Sequence, residues 1–157
     1  MARAPIDSWL VEHRFVAIAA GTAAVAGVAA CSSTQPLPPE PPGSLPPVTA
    51  HVTLDGRDIG TTHNVSCTQV GWAHTFTTGD TTSGTTAVVN TGDEVTAQSV
   101  QIRNLDGFSG GFAAGNFGDA QAKVAGNTFI ITGTVLGFTV DRPSNRIPQQ
   151  FAIKVNC

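Results

Sequence analysis

The sequence predicts an all-β domain over residues 48–157, a compact antiparallel β-sandwich or partly closed sheet. Three observations predict it. From Val48 onward the chain is dominated by Thr, Val, Ile, Gly and Asn, residues suited to half-buried pleated surfaces and to turns. Short runs of alternating polarity are separated by Gly, Asp and Asn, and long helical periodicity is absent. Finally, Gly126-Asn127 separates two alternating runs by a two-residue loop, a strong hairpin signal.

The elements follow in order. His51-Val52-Thr53-Leu54 reads as a strand ended by Asp55-Gly56, and Asn64 to Val70 as a second strand, carrying Cys67. Ala73 to Thr77 alternates and stops before Gly79-Asp80, and Thr85 to Asn90 stops before Thr91-Gly92-Asp93. Val95 to Arg103 is longer, with an inward face that the pattern leaves open. In the hairpin, a loop with Gly first suits a type II′ turn. That turn pairs Val124 with Phe129 and Ala122 with Ile131 on one face, and Lys123 with Ile130 and Gln121 with Thr132 on the other. Gln149 to Cys157 is the final strand, with Pro148 just before it, where a missing donor does little harm.

Ahead of this domain the composition changes twice. Residues 31–47 hold Pro36, Pro38, Pro39, Pro41, Pro42, Pro46 and Pro47, a density that favours extended polyproline II and a semi-rigid spacer. Residues 1–30 read as a signal peptide. Arg14 precedes the uncharged run Phe15–Ala30, which exceeds a core strand but falls short of the ~20 apolar residues of a spanning helix. The positive character expected ahead of such a run is weak, because Asp7 and Glu12 offset Arg3 and Arg14. At its end, Val28-Ala29-Ala30-Cys31 resembles a bacterial lipobox. That resemblance implies cleavage before Cys31, a thioether-linked diacylglycerol on its sulfur, and acylation (palmitate) of the new amino terminus. Two or three acyl chains make release from a bilayer slow, where a single chain holds only reversibly. The alternatives are an uncleaved apolar anchor with Cys31 as an ordinary thiol, and a secretory signal cut near Val28-Ala29-Ala30.

The formal net charge of −3 is unchanged by removal of residues 1–30, since equal numbers of acidic and basic residues leave. A weakly acidic domain has no electrostatic footprint for nucleic acid, and no Lys/Arg cluster for anionic lipid head groups. With Cys31 lipidated, Cys67 and Cys157 remain, and an even remainder in an oxidising compartment reads as a disulfide. Strand phase agrees: Cys67 lies in phase with Val65, and Cys157 with Phe151, Ile153 and Val155, so both point to the apolar side. The alternative is two buried free thiols.

Several segments in order resemble the mycobacterial nineteen-kilodalton lipoprotein antigen family. They are Val52-Thr53-Leu54-Asp55-Gly56, Val65-Ser66-Cys67-Thr68, Asn104-Leu105-Asp106-Gly107, Phe129 to Gly137, and Phe151 to Cys157. The resemblance runs from the lipobox to the C-terminus and is least in the linker. It implies an acylated protein of the cell envelope, held on the outer side of the cell membrane and recognised by host receptors through its lipid. It implies no enzyme activity. The family's stretch after the lipidated cysteine is Ser/Thr-rich and can be glycosylated. Here proline dominates that stretch, with only Ser32, Ser33, Thr34 and Ser44.

The remaining chemistry-bearing residues point to no catalytic, cofactor or metal site. His51, His63 and His74 lie near Asp55, Asp58 and Cys67 in sequence. On a strand, however, His63 and Cys67 at i and i+4 stand over ~13 Å apart along the backbone, so the histidines read as half-exposed strand residues. Gly107 to Gly118 lacks the Gly-Lys-Ser/Thr of a phosphate loop, a dinucleotide fingerprint and a nucleophile elbow. It reads as a glycine-permitted bulge or loop with Phe108, Phe112 and Phe117 packed in the core, the alternative being an apolar lip for a lipid or glycan. Trp72 reads as a core residue capping one end of the sandwich, the alternative being an exposed tryptophan that marks a partner site. Function therefore divides between a non-enzymatic lipid-anchored surface domain and a carrier for an envelope lipid or glycolipid, and a carrier needs a hollow of ~300 Å³ or more.

Overall fold

A computed structural model describes residues 41–157, and among these the regular structure is entirely β. Ten strands follow one another: β1 (Thr49–Leu54), β2 (Arg57–Thr62), β3 (Val65–Val70), β4 (Ala73–Gly79), β5 (Gly84–Asn90), β6 (Thr96–Leu105), β7 (Phe108–Ala113), β8 (Asp119–Ala125), β9 (Thr128–Thr139) and β10 (Arg142–Asn156). They form one antiparallel sheet in the order β2-β1-β10-β9-β7-β6-β5-β4-β3, with β8 added on β9. The two edge strands, β2 and β3, are consecutive in the chain and joined only by His63 and Asn64. The sheet is therefore curled nearly into a barrel.

Local chemistry sets the turns. Asp55-Gly56 and Asp106-Gly107 both have positive φ at both residues, the type I′ geometry whose twist matches the flanking strands and which Asp-Gly adopts at low cost. In the β8–β9 hairpin only Gly126 has positive φ, as a type II′ turn requires, and the register is Val124 with Phe129 and Ala122 with Ile131. The β4–β5 loop is held by Asp80, whose Oδ1 accepts from the amides of Thr82 (2.7 Å) and Ser83 (2.8 Å) and from the Thr82 hydroxyl (2.7 Å). Those hydrogen bonds, the Thr82 hydroxyl first, hold the exposed Asp80 carboxyl below its ordinary value of 3.8, and Arg103 adds a smaller effect.

One face of every inner strand is apolar, and these faces fill the interior. Ala50, Val52 and Leu54 of β1 meet Phe151, Ile153 and Val155 of β10, Ile131 and Val135 of β9, Phe108 and Phe112 of β7, Val100 and Ile102 of β6, and Phe76 of β4. Buried polar residues are few, and two of them pair: Thr78 and Thr85 bond through their hydroxyls at 2.9 Å across β4 and β5. Strand β9 is shared. Its first half, Thr128–Thr134, pairs with β8, and its second half, Leu136–Thr139, pairs with β7. The Phe108 ring lies over this junction. A Cβ at Gly137 would stand 2.6 Å from its Cζ, and one at Gly110 2.7 Å, so both positions require glycine for the ring to seat.

The structure departs from the sequence reading in specific ways. An extra edge strand, β2, follows the Asp55-Gly56 turn; it buries little, and its Arg57 and Asp58 leave no apolar alternation to detect. Residues 108–113 are a strand rather than a loop, with Phe108 and Phe112 buried as expected, whereas Phe117 is exposed on the turn into β8. Trp72 is likewise exposed, at 67 %, because the β3–β4 hairpin carries it past the end of the interior. Strand β10 begins at Arg142, so Pro148 lies inside it. It is tolerated there because β1 joins β10 only from Phe151, leaving one side of Pro148 unpaired. The inward face of β6 is ambiguous in sequence because a bulge at Gln98, opposite Val88 and Val89, shifts its phase, burying Ala97 and then Val100 and Ile102.

Two outcomes test this packing. Phe76→Ala should lower stability by about 3–5 kcal/mol in urea denaturation, whereas Trp72→Ala should change it by less than about 0.5 kcal/mol. Because hydrogen bonding depresses the Asp80 pKa, its contribution to the β4–β5 loop is present above the ordinary carboxylate range and is lost as pH falls through the lowered folded value. The Thr82 and Ser83 amide resonances should titrate with a midpoint below 3.8, and that midpoint should vanish in Asp80→Asn.

Candidate functional site

Cys31, residues 1–30 and most of the proline-rich stretch lie outside the described residues; the chain enters the domain through Pro41–Val48. This entry is built into the fold. The Leu45 amide donates to Thr128 Oγ1 at 2.8 Å, and Asn156 Nδ2 donates to the Leu45 carbonyl at 2.6 Å. Thr128 is fully buried and Asn156 nearly so. The lead-in strap is thereby fastened across the first residue of β9 and the last of β10, which pair with each other.

The disulfide closes the same rim. Cys67 of β3 is joined to Cys157, just past β10, with Cα atoms 6.1 Å apart and a separation of 90 positions in sequence. It ties one edge strand of the curled sheet to the strand third from the other edge. Cys67 packs against the core while Cys157 is exposed, so the bridge lies at the mouth of the interior rather than within it. Beside it, the Phe76 and Phe129 rings pack tilted at 45° with centroids 4.6 Å apart, and the His74 ring lies 5.2 Å from Phe129. These rings fill the end that the strap and the disulfide bound.

The three histidines are dispersed over this region and serve local structure. His51 Nε2 is 3.0 Å from Asp58 Oδ1 on the neighbouring strand. His63 Nδ1 lies 3.2 Å from Thr49 Oγ1 and 3.3 Å from the Val48 carbonyl. His74 Nε2 lies 3.1 Å from Thr91 Oγ1. Among the described residues no group of three or more His, Cys, Asp or Glu side chains converges as metal ligands would.

A second feature lies on the outer face. Phe117, Leu136 and Phe138 border an open groove of about 480 Å³, together with Ser99, Gln101 and Arg146. Its floor is Gly110, Gly111 and Phe112. The sequence reading placed Phe117 in the core and did not single out Leu136, Phe138 or Arg146. The signal was present for two of them: beyond Val135 the β9 alternation continues, which puts Leu136 and Phe138 on the solvent side.

Comparison with known proteins matches this sequence to one family. Residues 43–157 fit the family model described as Mycobacterium 19 kDa lipoprotein antigen. A relative from Mycobacterium avium subsp. hominissuis that bears a lipoprotein name is 35% identical over 150 residues, covering 95% of this chain and 99% of its own. LppE of Mycobacterium tuberculosis, also named as a lipoprotein, is 34% identical over 133 residues, 84% of this chain and 89% of its own. Lipoprotein LpqH of Mycobacterium avium is 32% identical over 107 residues, 68% of this chain and 66% of its own.

The rim has a measurable energetic consequence. A cross-link over so long a segment constrains the unfolded chain most, so Cys67→Ser/Cys157→Ser should cost about 4–5 kcal/mol in the chain-entropy description. Native, unreduced protein should show no labelling of either sulfur by a thiol reagent.

Proposed function

Because the chain belongs to the mycobacterial 19 kDa lipoprotein antigen family, and is thus a cell-envelope lipoprotein, we propose that it is anchored by acyl chains on Cys31. The β domain would be displayed on the outer side of the membrane as a surface antigen and interaction module, without enzymatic activity. The observation that carries this reading is the join between two independent features. The family match ends at residue 43 on its N-terminal side, and the lipobox-like Val28-Ala29-Ala30-Cys31 stands just upstream. The membrane is the first partner, through the acyl chains, and the same lipid is what host receptors would recognise.

The character of the domain supports a display role. Its interior is occupied mainly by hydrocarbon, with the Thr78 and Thr85 hydroxyls bonded to each other, and its carboxylates are spread over exposed turns such as Asp55, Asp80, Asp106 and Asp141. The carrier reading draws on the outer groove, whose volume of about 480 Å³ exceeds the ~300 Å³ of a small-molecule site. The groove is open along the surface, bordered by half-exposed Phe117 and Phe138, and suits a head group or sugar better than an enclosed acyl chain. Native mass spectrometry of protein from its own host separates the two readings, since a carrier retains a co-purified lipid.

Intact-mass analysis of the mature protein should begin at Cys31 and carry the added mass of the diacylglycerol and the N-terminal acyl group. Cys31→Ala should lose that mass and move from the detergent phase to the aqueous phase in a two-phase partition. Unchanged partition and mass would sink the anchor.

A further inference from the structure

The β3–β4 hairpin presents an apolar tip for which the fold offers no cover. Val70 is 80 % exposed and Trp72 67 % exposed, on either side of Gly71. The positive φ at Gly71 alone makes a type II′ turn, and Val70 pairs with Ala73 across it. The Trp72 carbonyl accepts from the Thr91 amide at 2.8 Å, so the backbone of the tip is pinned to the β5–β6 loop. The indole is thereby displayed from a fixed backbone.

A chain of contacts places this tip at the end where the polypeptide enters the domain. Leu45 bonds Thr128. The next residue, Phe129, packs against His74, and Trp72 precedes His74 by two residues. Two further exposed apolar residues belong to the same end: Val48, immediately before β1, and Val124, beside the Gly126-Asn127 turn. Gly126 meets Pro41 and Ser44 of the entering strap.

The length of chain outside the described residues decides what lies opposite. Ten Cα-to-Cα steps, across the nine residues 32–40, separate the lipobox cysteine from Pro41. Even fully extended they reach at most about 33–36 Å, so the entry end of the domain is confined close to any bilayer that holds Cys31. A tryptophan is the side chain best suited to that boundary, since its apolar ring and its N–H match the level of the head groups.

We propose that the Val70–Trp72 tip is a membrane-interface contact, seating the β domain against the bilayer that carries its own anchor. This rests on the acylation of Cys31 described above. Charge contributes little to the contact. Asp93 and Glu94 lie in the loop beside Trp72, whereas Lys123 and Lys154, the only lysines, flank Ile130 two register positions in from the rim. The docking is therefore apolar and persists at high salt and on uncharged lipid.

Trp72 is the only tryptophan after residue 31, which makes it a direct reporter. The acylated mature chain is placed in phosphatidylcholine vesicles. In parallel, a Cys31→Ser mature chain with an N-terminal hexahistidine tag is held on the same vesicles by nickel-chelating lipid. In both, Trp72 emission should shift to the blue and show about a twofold loss with lipids brominated near the head group, as suits an indole at that level. The shift and loss should be unchanged by high salt and should disappear in Val70→Asp. Emission identical to that of the free Cys31→Ser chain in both arrangements overturns the proposal. A blue shift that appears without vesicles and reverses on dilution also overturns it, by assigning the tip to a second copy of the chain. Failure of the native chain to bind, with quenching kept in the nickel-held chain, removes the anchor reading and leaves the docking.

Discussion

The inner strands, each with one apolar face, have nowhere to bury that face except against one another, and this constraint organises the molecule. A flat sheet of this order would expose its whole hydrophobic side. Curling brings Phe76 of β4 against Phe129 of β9 and lets Leu54, Phe151, Ile153 and Val135 share one interior. The edges that curling leaves are short and polar. β2 carries Arg57 and Asp58, and β3 carries Ser66, Thr68 and Gln69, so neither offers a long apolar template to another chain.

Closure needs more than burial, because β2 and β3 follow each other in the chain yet do not pair. The disulfide supplies the missing cross-connection, from β3 to the end of β10. It coincides with the strap over Thr128 and Asn156, so one end of the barrel gathers the covalent bridge, the entering chain and the packed aromatic rings. The opposite end is made of tight Asp-Gly turns, where Arg57 and Asp106 pair across two hairpins. The asymmetry follows the chain path: the Pro41–Val48 strap and the disulfide lie at one end, and the Asp-Gly turns at the other.

The outer groove and the hairpin tip are two different departures from a plain display scaffold. The groove exists because β9 is shared between β7 and β8, with Phe117 in the turn that connects them. The tip exists because β3 and β4 extend past the interior that their neighbours enclose. Both place aromatic rings in solvent, and both sit on a rigid strand framework rather than on long loops.

Much of this was legible in the sequence alone. Strict alternation of period two, with Gly-Asn and Asp-Gly turns, determined the β class, the Gln121–Thr134 hairpin and its register, and the inward set Phe151, Ile153 and Val155. Those features are local, and local backbone geometry is what turn residues and side-chain phase encode. Only the tertiary structure decided that Trp72 and Phe117 face solvent, that Pro148 lies within a strand, and that β2 exists at all. Each depends on what lies across from the residue: a tryptophan at a hairpin tip is core or surface according to how far the opposite wall extends. A bulge at Gln98, opposite Val88 and Val89 of β5, re-phases the β6 face by the same non-local logic. Alternation along one strand cannot carry that information, because burial is a property of two surfaces and the sequence of one strand describes only its own.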